Sequence, residues 1–128
     1  SPHFVSFVRD LVLMDVERDG AVSRQQSRVG KRGVNVNFVD RGRAPDESRV
    51  RTFERGVEGE TWSCGTGVTA AAITTCFESS ADIQSYKVHT RGGKLDVTFN
   101  TQSEGIFKDI YLTGPASHVY DGTINITV

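Results

Sequence analysis

Cysteine is scarce in this 128-residue chain: it occurs only at positions 64 and 76. Two cysteines make at most one bridge, not the framework that staples small secreted folds. If the segment between them is helical, they stand about 18 Å apart along the axis, and a disulfide needs Cα atoms within about 7 Å. Two free thiols in a reducing cytoplasm are expected. An excess of either charge is also missing, with 15 Lys and Arg against 16 Asp and Glu. That lacks the basic footprint of a nucleic-acid binder. No apolar run is long enough to span a bilayer, so no membrane partner is expected. The opening Ser1-Pro2-His3-Phe4 has neither the basic region nor the long apolar core of a signal peptide. A start on Ser rather than Met suggests a trimmed chain. Internal repeats and low-complexity tracts are absent.

What is present is glycine, 13 residues of it, with a modest 37% hydrophobic content. Both favour strands and turns over a helix bundle, and the length favours one domain spanning 1–128. His3 to Val8 is short, aromatic and branched, a predicted strand. Within Asp10 to Gln26 a helix is expected, broken at Gly20. Val34 to Val39 alternates, with Val34, Val36 and Phe38 on one face and Asn35, Asn37 and Val39 on the other. It reads as a half-buried strand displaying two amides opposite the core. Asp40 to Ser48 reads as a loop, Arg49 to Phe53 as a strand, Gly56 to Gly59 as a turn and Thr66 to Glu78 as a helix, apolar nearly all round and therefore buried. Tyr86 to Thr90 and Lys94 to Phe99 form an expected hairpin around Gly92-Gly93. Phe107 to Leu112, Ser117 to Tyr120 and Thr123 to Val128 complete the strands. Short connections favour antiparallel pairing. The expected class is α+β, a curled, mostly antiparallel sheet wrapped on a central buried helix.

The run from Phe53 to Ala72 carries the chemistry: F-E-R-G-V-E-G-E-T-W-S-C-G-T-G-V-T-A-A-A. A thiol is followed by Gly-Thr-Gly and then by a small-residue helix. The first N–H groups of a helix have no intrahelical partner, carry partial positive charge and bind carboxylate or phosphate. A cysteine held there has its thiolate favoured. Cys64 therefore reads as a proton-transfer group beside an anion site, and Cys76, in mid-helix, as core packing. Gly65 and Gly67 let a ligand approach the backbone closely. Thr66 either caps the helix or bonds a carboxylate. Glu54 and Arg55 are either an exposed ion pair or a pair in which Arg55 grips a carboxylate while Glu54 holds an ammonium or tunes the thiol. Glu60 is either a favourable charge near the helix start or a catalytic group. His3 and Asn35 are ordinary strand residues or ligand contacts, and Asn37 shares the face of Asn35.

On these motifs the chain resembles the C-terminal half of the diaminopimelate epimerases. Pro2-His3, Gly33 to Val39, Arg51 to Gly56, Gly59-Glu60-Thr61, Cys64-Gly65-Thr66-Gly67, Gly92 to Leu95, Leu112 to Ala116 and Val119 to Gly122 stand in family order over nearly the whole chain. The resemblance implies the family fold, of which this chain is one of two similar halves. It implies inversion at an α-carbon without pyridoxal phosphate or metal: one thiolate removes the α-proton and an opposite thiol delivers another. The reaction implied interconverts LL- and meso-diaminopimelate on the bacterial lysine and peptidoglycan route, in the cytoplasm. By position, Cys64 is one thiol of the pair. Gly65 and Thr66 receive the α-carboxylate, Asn35, Glu54 and Arg55 contact substrate, and His3 and Glu54 tune the thiols. Ser1 stands where the family has Asn. The half that carries the other catalytic cysteine is not in these 128 residues, so the implied partners are an amino-acid substrate and that N-terminal domain. An inactive, self-associating chain is expected.

Three other readings remain at this stage. One is a relative of the proline or hydroxyproline racemases, which share the Cys-Gly-Thr-Gly feature but not Glu54-Arg55-Gly56 or Gly59-Glu60-Thr61. Another is a non-catalytic module that holds an amino acid at the helix start. The third is a lone-cysteine hydrolase, which needs a histidine base.

Overall fold

Strand β1 (His3–Phe7) runs parallel to β2 (Asn35–Arg41), and the chain between them carries a short 3-10 turn and helix α1 (Val16–Gln26). The computed structural model describes residues 1–26, 32–103 and 105–128. Strand β3 (Glu47–Glu54) turns back antiparallel on β2. Beyond it, β4 (Gly59–Thr61) pairs with the C-terminal end of β3, and β5 (Ser85–Thr90) pairs parallel with its N-terminal end. Helix α2 (Gly65–Ser79) is the crossover between β3 and β5. Strands β6 (Gly93–Ser103) and β7 (Ile106–Thr113) extend the sheet antiparallel. The order is β1-β2-β3-β5-β6-β7 with β4 on the flank of β3, seven strands among the described residues.

The class is α+β and the sheet is curled and mostly antiparallel, as expected, but it contains two parallel pairs. Parallel neighbours need a crossover long enough to hold a helix, and each pair has one, with a helix on each face of the sheet. Val68, Ala71, Ala72 and Cys76 of α2 pack with Val39, Val50, Tyr86, Val88, Val97 and Phe99. Leu11 and Val16 pack with Val34, Val36, Phe38 and Phe53 on the opposite face.

The two-sided cover corrects the reading of β2. Its faces alternate as expected, but neither is displayed: Asn35 and Asn37 are buried, like Val36 between them. The polar face lies under the start of α2, close enough that a Cβ at Gly67 would overlap the Asn37 amide oxygen. Gly20 does not break α1 either; it lies inside the helix and is buried. A Cβ there would overlap Cβ and the ring of Phe53, so glycine is what lets α1 close on β3. Gly20→Ala sets two effects against each other. Helix propensity favours Ala by about 1 kcal/mol, while overpacking against a Cβ that cannot swing aside costs about 1–3 kcal/mol. The overlap wins, and thermal unfolding of Gly20→Ala is expected about 5 °C below that of the parent chain.

The other differences lie in loops and at the C-terminus. Strand β2 runs on to Arg41 and β3 begins at Glu47, which shortens the expected loop at both ends. Strand β4 was not expected, being only three residues long. Helix α2 and the β5–β6 hairpin, with Arg91 and Gly92 between the paired Thr90 and Gly93, match the sequence reading closely. Ser117 to Tyr120 and Thr123 to Val128 form no strands. Val119, Tyr120, Ile124, Ile126 and Val128 are exposed. Their alternation is that of a strand, and nothing among the described residues pairs with them. No helix of the described residues is long and apolar enough to cross a membrane.

Candidate active site

The predicted site residues gather at one end of the sheet, from three strand ends and the start of α2. His3 opens β1 and pairs in register with Asn35 at the start of β2. Val36 opposes Phe53 across the antiparallel pair, which brings Asn35 level with Glu54 at the end of β3. Arg55 follows Glu54, and its backbone N–H donates to the Asn35 side-chain oxygen at 2.8 Å. The Asn35 amide nitrogen donates to the Ser1 hydroxyl at 2.8 Å, so this side chain braces the chain as well as bordering the site. The Arg55 guanidinium reaches the Gly33 carbonyl at 3.4 Å.

The segment before α2 is clasped on its outer side. Gly92 donates its N–H to the Trp62 carbonyl at 2.8 Å, and the Arg91 guanidinium stacks 4.6 Å from the centre of the Trp62 ring. Arg91 also bonds Glu60 at 3.1 Å. Glu60 is fully committed. Arg51 grips it with two parallel bonds of 2.7 and 2.8 Å and places its third donor on the carbonyls of Leu11 and Met14. The Arg51 guanidinium holds the Glu60 carboxyl below its ordinary range, mainly through that hydrogen bond. Neither reading open for Glu60, a charge at the helix start or a catalytic group, describes this arrangement; the geometry makes it a structural clasp.

Cys64 is the residue immediately before the first turn of α2, and its own side chain makes no capping hydrogen bond. The first-turn N–H groups are thus left for a ligand. Thr66 does not cap. Its hydroxyl lies 3.0 Å from His3 Nε2 and 3.6 Å from the Cys64 sulfur. Cys64 is 9% exposed, while Thr66 is exposed and His3 half-buried. The sulfur therefore sits just beneath the surface, with a Leu112 methyl of β7 close over Gly65. Burial is the main influence on the His3 imidazole and pushes its pKa down. Arg55 acts the same way, and Glu54 opposes it. Glu54 thus acts on His3 through charge, with no hydrogen bond between them among the described residues.

Cys76 stands apart. It is buried near the far end of α2, its S–H directed at the carbonyls of Ala81 and Ile83. Both cysteines are free. A cavity of about 340 Å³ opens beside Cys76 and Phe77, remote from His3, Cys64 and Thr66. Among the described residues no three His, Cys, Asp or Glu side chains come together as metal ligands would. Asn37, on the same face of β2 as Asn35, is a neighbour of the site that residue type and spacing do not single out. It is fully buried, and its amide nitrogen lies 3.1 Å from His3 Nδ1.

The sequence profile described as Diaminopimelate epimerase matches residues 1–119. The chain belongs to the diaminopimelate epimerase family. It is 44% identical to the diaminopimelate epimerase of Flavobacterium psychrophilum over 124 residues, which is 97% of this chain and 48% of that one. It is 40% identical to that of Chlorobaculum tepidum, over 98% of this chain and 48% of the other. The chain thus spans about half the length of the curated relatives it matches. Among solved structures its fold resembles a Pseudomonas aeruginosa "Predicted Epimerase", with a TM-score of 0.58 at 19% identity, over 78% of this chain and 33% of that one. A phenazine biosynthesis protein of the PhzF family from Bacillus anthracis aligns with a TM-score of 0.53 at 19% identity, over 80% and 32%. The likeness to these two is one of fold, over about a third of each solved chain.

Proposed function

We propose that this chain supplies one half of the active site of a cofactor-independent amino-acid epimerase acting on diaminopimelate, with Cys64 as one of two proton-transfer groups. The observation that carries the reading is the contact of Cys64 with Thr66 and, through it, with His3, at the uncapped start of α2. In the forward step the Cys64 sulfur forms an S–H bond as the α-C–H bond breaks. The electron pair left on carbon delocalises into the adjoining carboxylate. A second thiol on the opposite face gives up its proton to that carbon, and the roles exchange in reverse. Charge developing on the carboxylate is met by the N–H groups of Gly65 and Thr66, dipoles already in place before reaction. Arg55 grips a carboxylate, and Glu54 and Asn35 contact the polar ends of the substrate, Asn35 with the amide hydrogen left over from its bond to Ser1. In this reading residues 1–128 fold as one domain.

A hydrolase built on a lone cysteine is disfavoured. Such a site needs a histidine in contact with the thiol, and His3 reaches Cys64 only through Thr66. The proline racemase reading gives way to the family match over residues 1–119. A binding module without catalysis differs in one measurable way: the full-length protein would hold diaminopimelate without exchanging its α-proton.

The isolated chain has one thiol at the site. Its other cysteine lies twelve residues along α2, about 18 Å away. We expect no epimerisation of LL-diaminopimelate by the 128 residues alone, and rapid epimerisation with solvent deuterium incorporation by the full-length protein. Turnover by the short chain, measured by NMR in deuterium oxide, would refute the two-thiol scheme. Exposed Ile110, Tyr111 and Leu112 of β7, with the apolar residues of 119–128, form the face we assign to contact with the remainder of the protein. Among the described residues strand β7 is also an unpaired sheet edge. Light scattering of the isolated chain is expected to show self-association.

A further inference from the structure

Three hydrogen bonds from one buried amide decide the state of the histidine beside the site. Asn37 is fully buried, and its side chain has two donor hydrogens and one acceptor oxygen to satisfy. The oxygen accepts from the Thr52 hydroxyl at 2.9 Å, its cross-strand neighbour in β3. The nitrogen lies 3.2 Å from the Phe4 backbone carbonyl, which can only accept. That carbonyl fixes which end of the amide is nitrogen. The same nitrogen lies 3.1 Å from His3 Nδ1. A donor already points at Nδ1, so Nδ1 must present its lone pair, and the ring proton must sit on Nε2. Nε2 in turn faces the Thr66 hydroxyl at 3.0 Å. If Nε2–H donates there, the Thr66 oxygen accepts and its own hydrogen is free to turn to the Cys64 sulfur at 3.6 Å.

We infer that Asn37, held by Thr52 and the Phe4 carbonyl, is a positioning residue: it fixes His3 as the neutral Nε2–H tautomer and thereby directs the Thr66 hydroxyl to donate to Cys64. Every donor in the series Asn37, His3, Thr66 then points toward the sulfur. The arrangement aims a hydrogen-bond donor at the sulfur without placing a full charge beside it. Burial of His3, which favours the uncharged ring, acts in the same direction. The side-chain charges acting on the ring are Arg55 and Glu54, and Glu54 alone favours an imidazolium. Thr66 has one hydroxyl hydrogen, so while it serves the sulfur it meets a substrate carboxylate only through its backbone N–H. Gly67 belongs to the same device, since any side chain there would collide with the Asn37 oxygen. The catalytic meaning of the device rests on the proton-transfer reading above, but the tautomer itself does not.

The test uses the 128-residue chain labelled with nitrogen-15. Its three histidines are resolved in long-range proton–nitrogen correlation spectra and assigned with His89→Gln and His118→Gln. At pH 7, His3 is expected to show the pattern of a neutral ring protonated at Nε2. A ring protonated at Nδ1, or an imidazolium pairing with Glu54, would overturn the inference. Asn37→Asp replaces the donor with an acceptor and is expected to move a proton onto Nδ1; an unchanged spectrum would count against the role given to Asn37. If that variant does not fold, the spectrum of the parent chain still decides the tautomer. The last link is read from alkylation of Cys64 by iodoacetamide, followed by peptide mass spectrometry so that Cys76 does not contribute. In Thr66→Val the Cys64 rate profile is expected to lie about fivefold lower on its rising limb, the worth of one hydrogen bond. Thr66→Ser, which keeps the hydroxyl, should restore the parent profile. Equal profiles for Thr66→Val and the parent would remove Thr66 from the series. None of these readouts requires epimerase activity, so failure here and failure of the epimerase assignment are separate results.

Discussion

In the full-length protein, Cys64→Ala is expected to lose at least about a thousandfold in the rate of diaminopimelate epimerisation, with little change in substrate affinity. General acid–base groups contribute about 10²–10⁴, and alanine leaves nothing to carry the proton on that face. Binding should persist, because in the proposed reading the carboxylate is met by backbone N–H groups at the start of α2 that do not depend on the sulfur. The split is diagnostic: kcat collapses and KM moves little, as befits a group that acts only in the transition state. Calorimetry with diaminopimelate and a stereospecific assay on the same preparation measure both halves. A loss below tenfold would show that Cys64 is not the proton carrier. A loss of binding in step with activity would point to a structural role for the thiol.

Arg51→Ala is expected to destabilise the isolated chain by about 3 kcal/mol, the largest stability effect anticipated here. The substitution strips the two parallel bonds from Glu60, removes the guanidinium donor from the Met14 carbonyl and leaves the Leu11 carbonyl with only the Met14 N–H. The Glu60 side chain is only 6% exposed, and removing one partner of a buried pair leaves an uncompensated charge. Arg91 remains nearby, but its bond to Glu60 is longer and its own side chain more exposed. The pH dependence follows from the direction of the shift. Glu60 binds its proton less readily folded than unfolded, so its contribution is complete above its ordinary value of 4.5 and is lost as pH falls through the depressed folded value. Urea unfolding of the parent chain should therefore weaken below about pH 4.5. In Arg51→Ala that acid-dependent loss should be smaller, and equal slopes in both proteins would exclude the pair as its source.

The alternation of β2 was readable from the sequence, with Val34, Val36 and Phe38 on one face and Asn35, Asn37 and Val39 on the other. Its burial was not, since what covers the amide face is the start of α2, about 30 residues later in the chain. Gly20 misled for a related reason: a glycine in a polar stretch looks like a helix breaker until Phe53 is seen pressed against it. The same limit explains the parallel pairs. Short connections argue for antiparallel neighbours, but α1 and α2 are long enough to carry the chain back over the sheet. Ile124, Ile126 and Val128 alternate as a strand would, yet alternation only describes a face, and a strand needs a neighbour to bond.

By itself the sequence determined the local order of the site: a thiol, Gly-Thr-Gly, then a buried small-residue helix, with Glu54 and Arg55 at a strand end before them. Those features depend on neighbours in the chain, and residue type and spacing fix them. Tertiary structure alone decided that His3 would meet Thr66 across 63 residues, that Asn37 would hold that ring, and that Glu60 would be bound to Arg51 instead of facing the site. Such pairings arise when two helices close on opposite faces of one sheet. Which side chains then share a hydrogen bond is set by register and crossover, and the linear order of residues carries no direct mark of either.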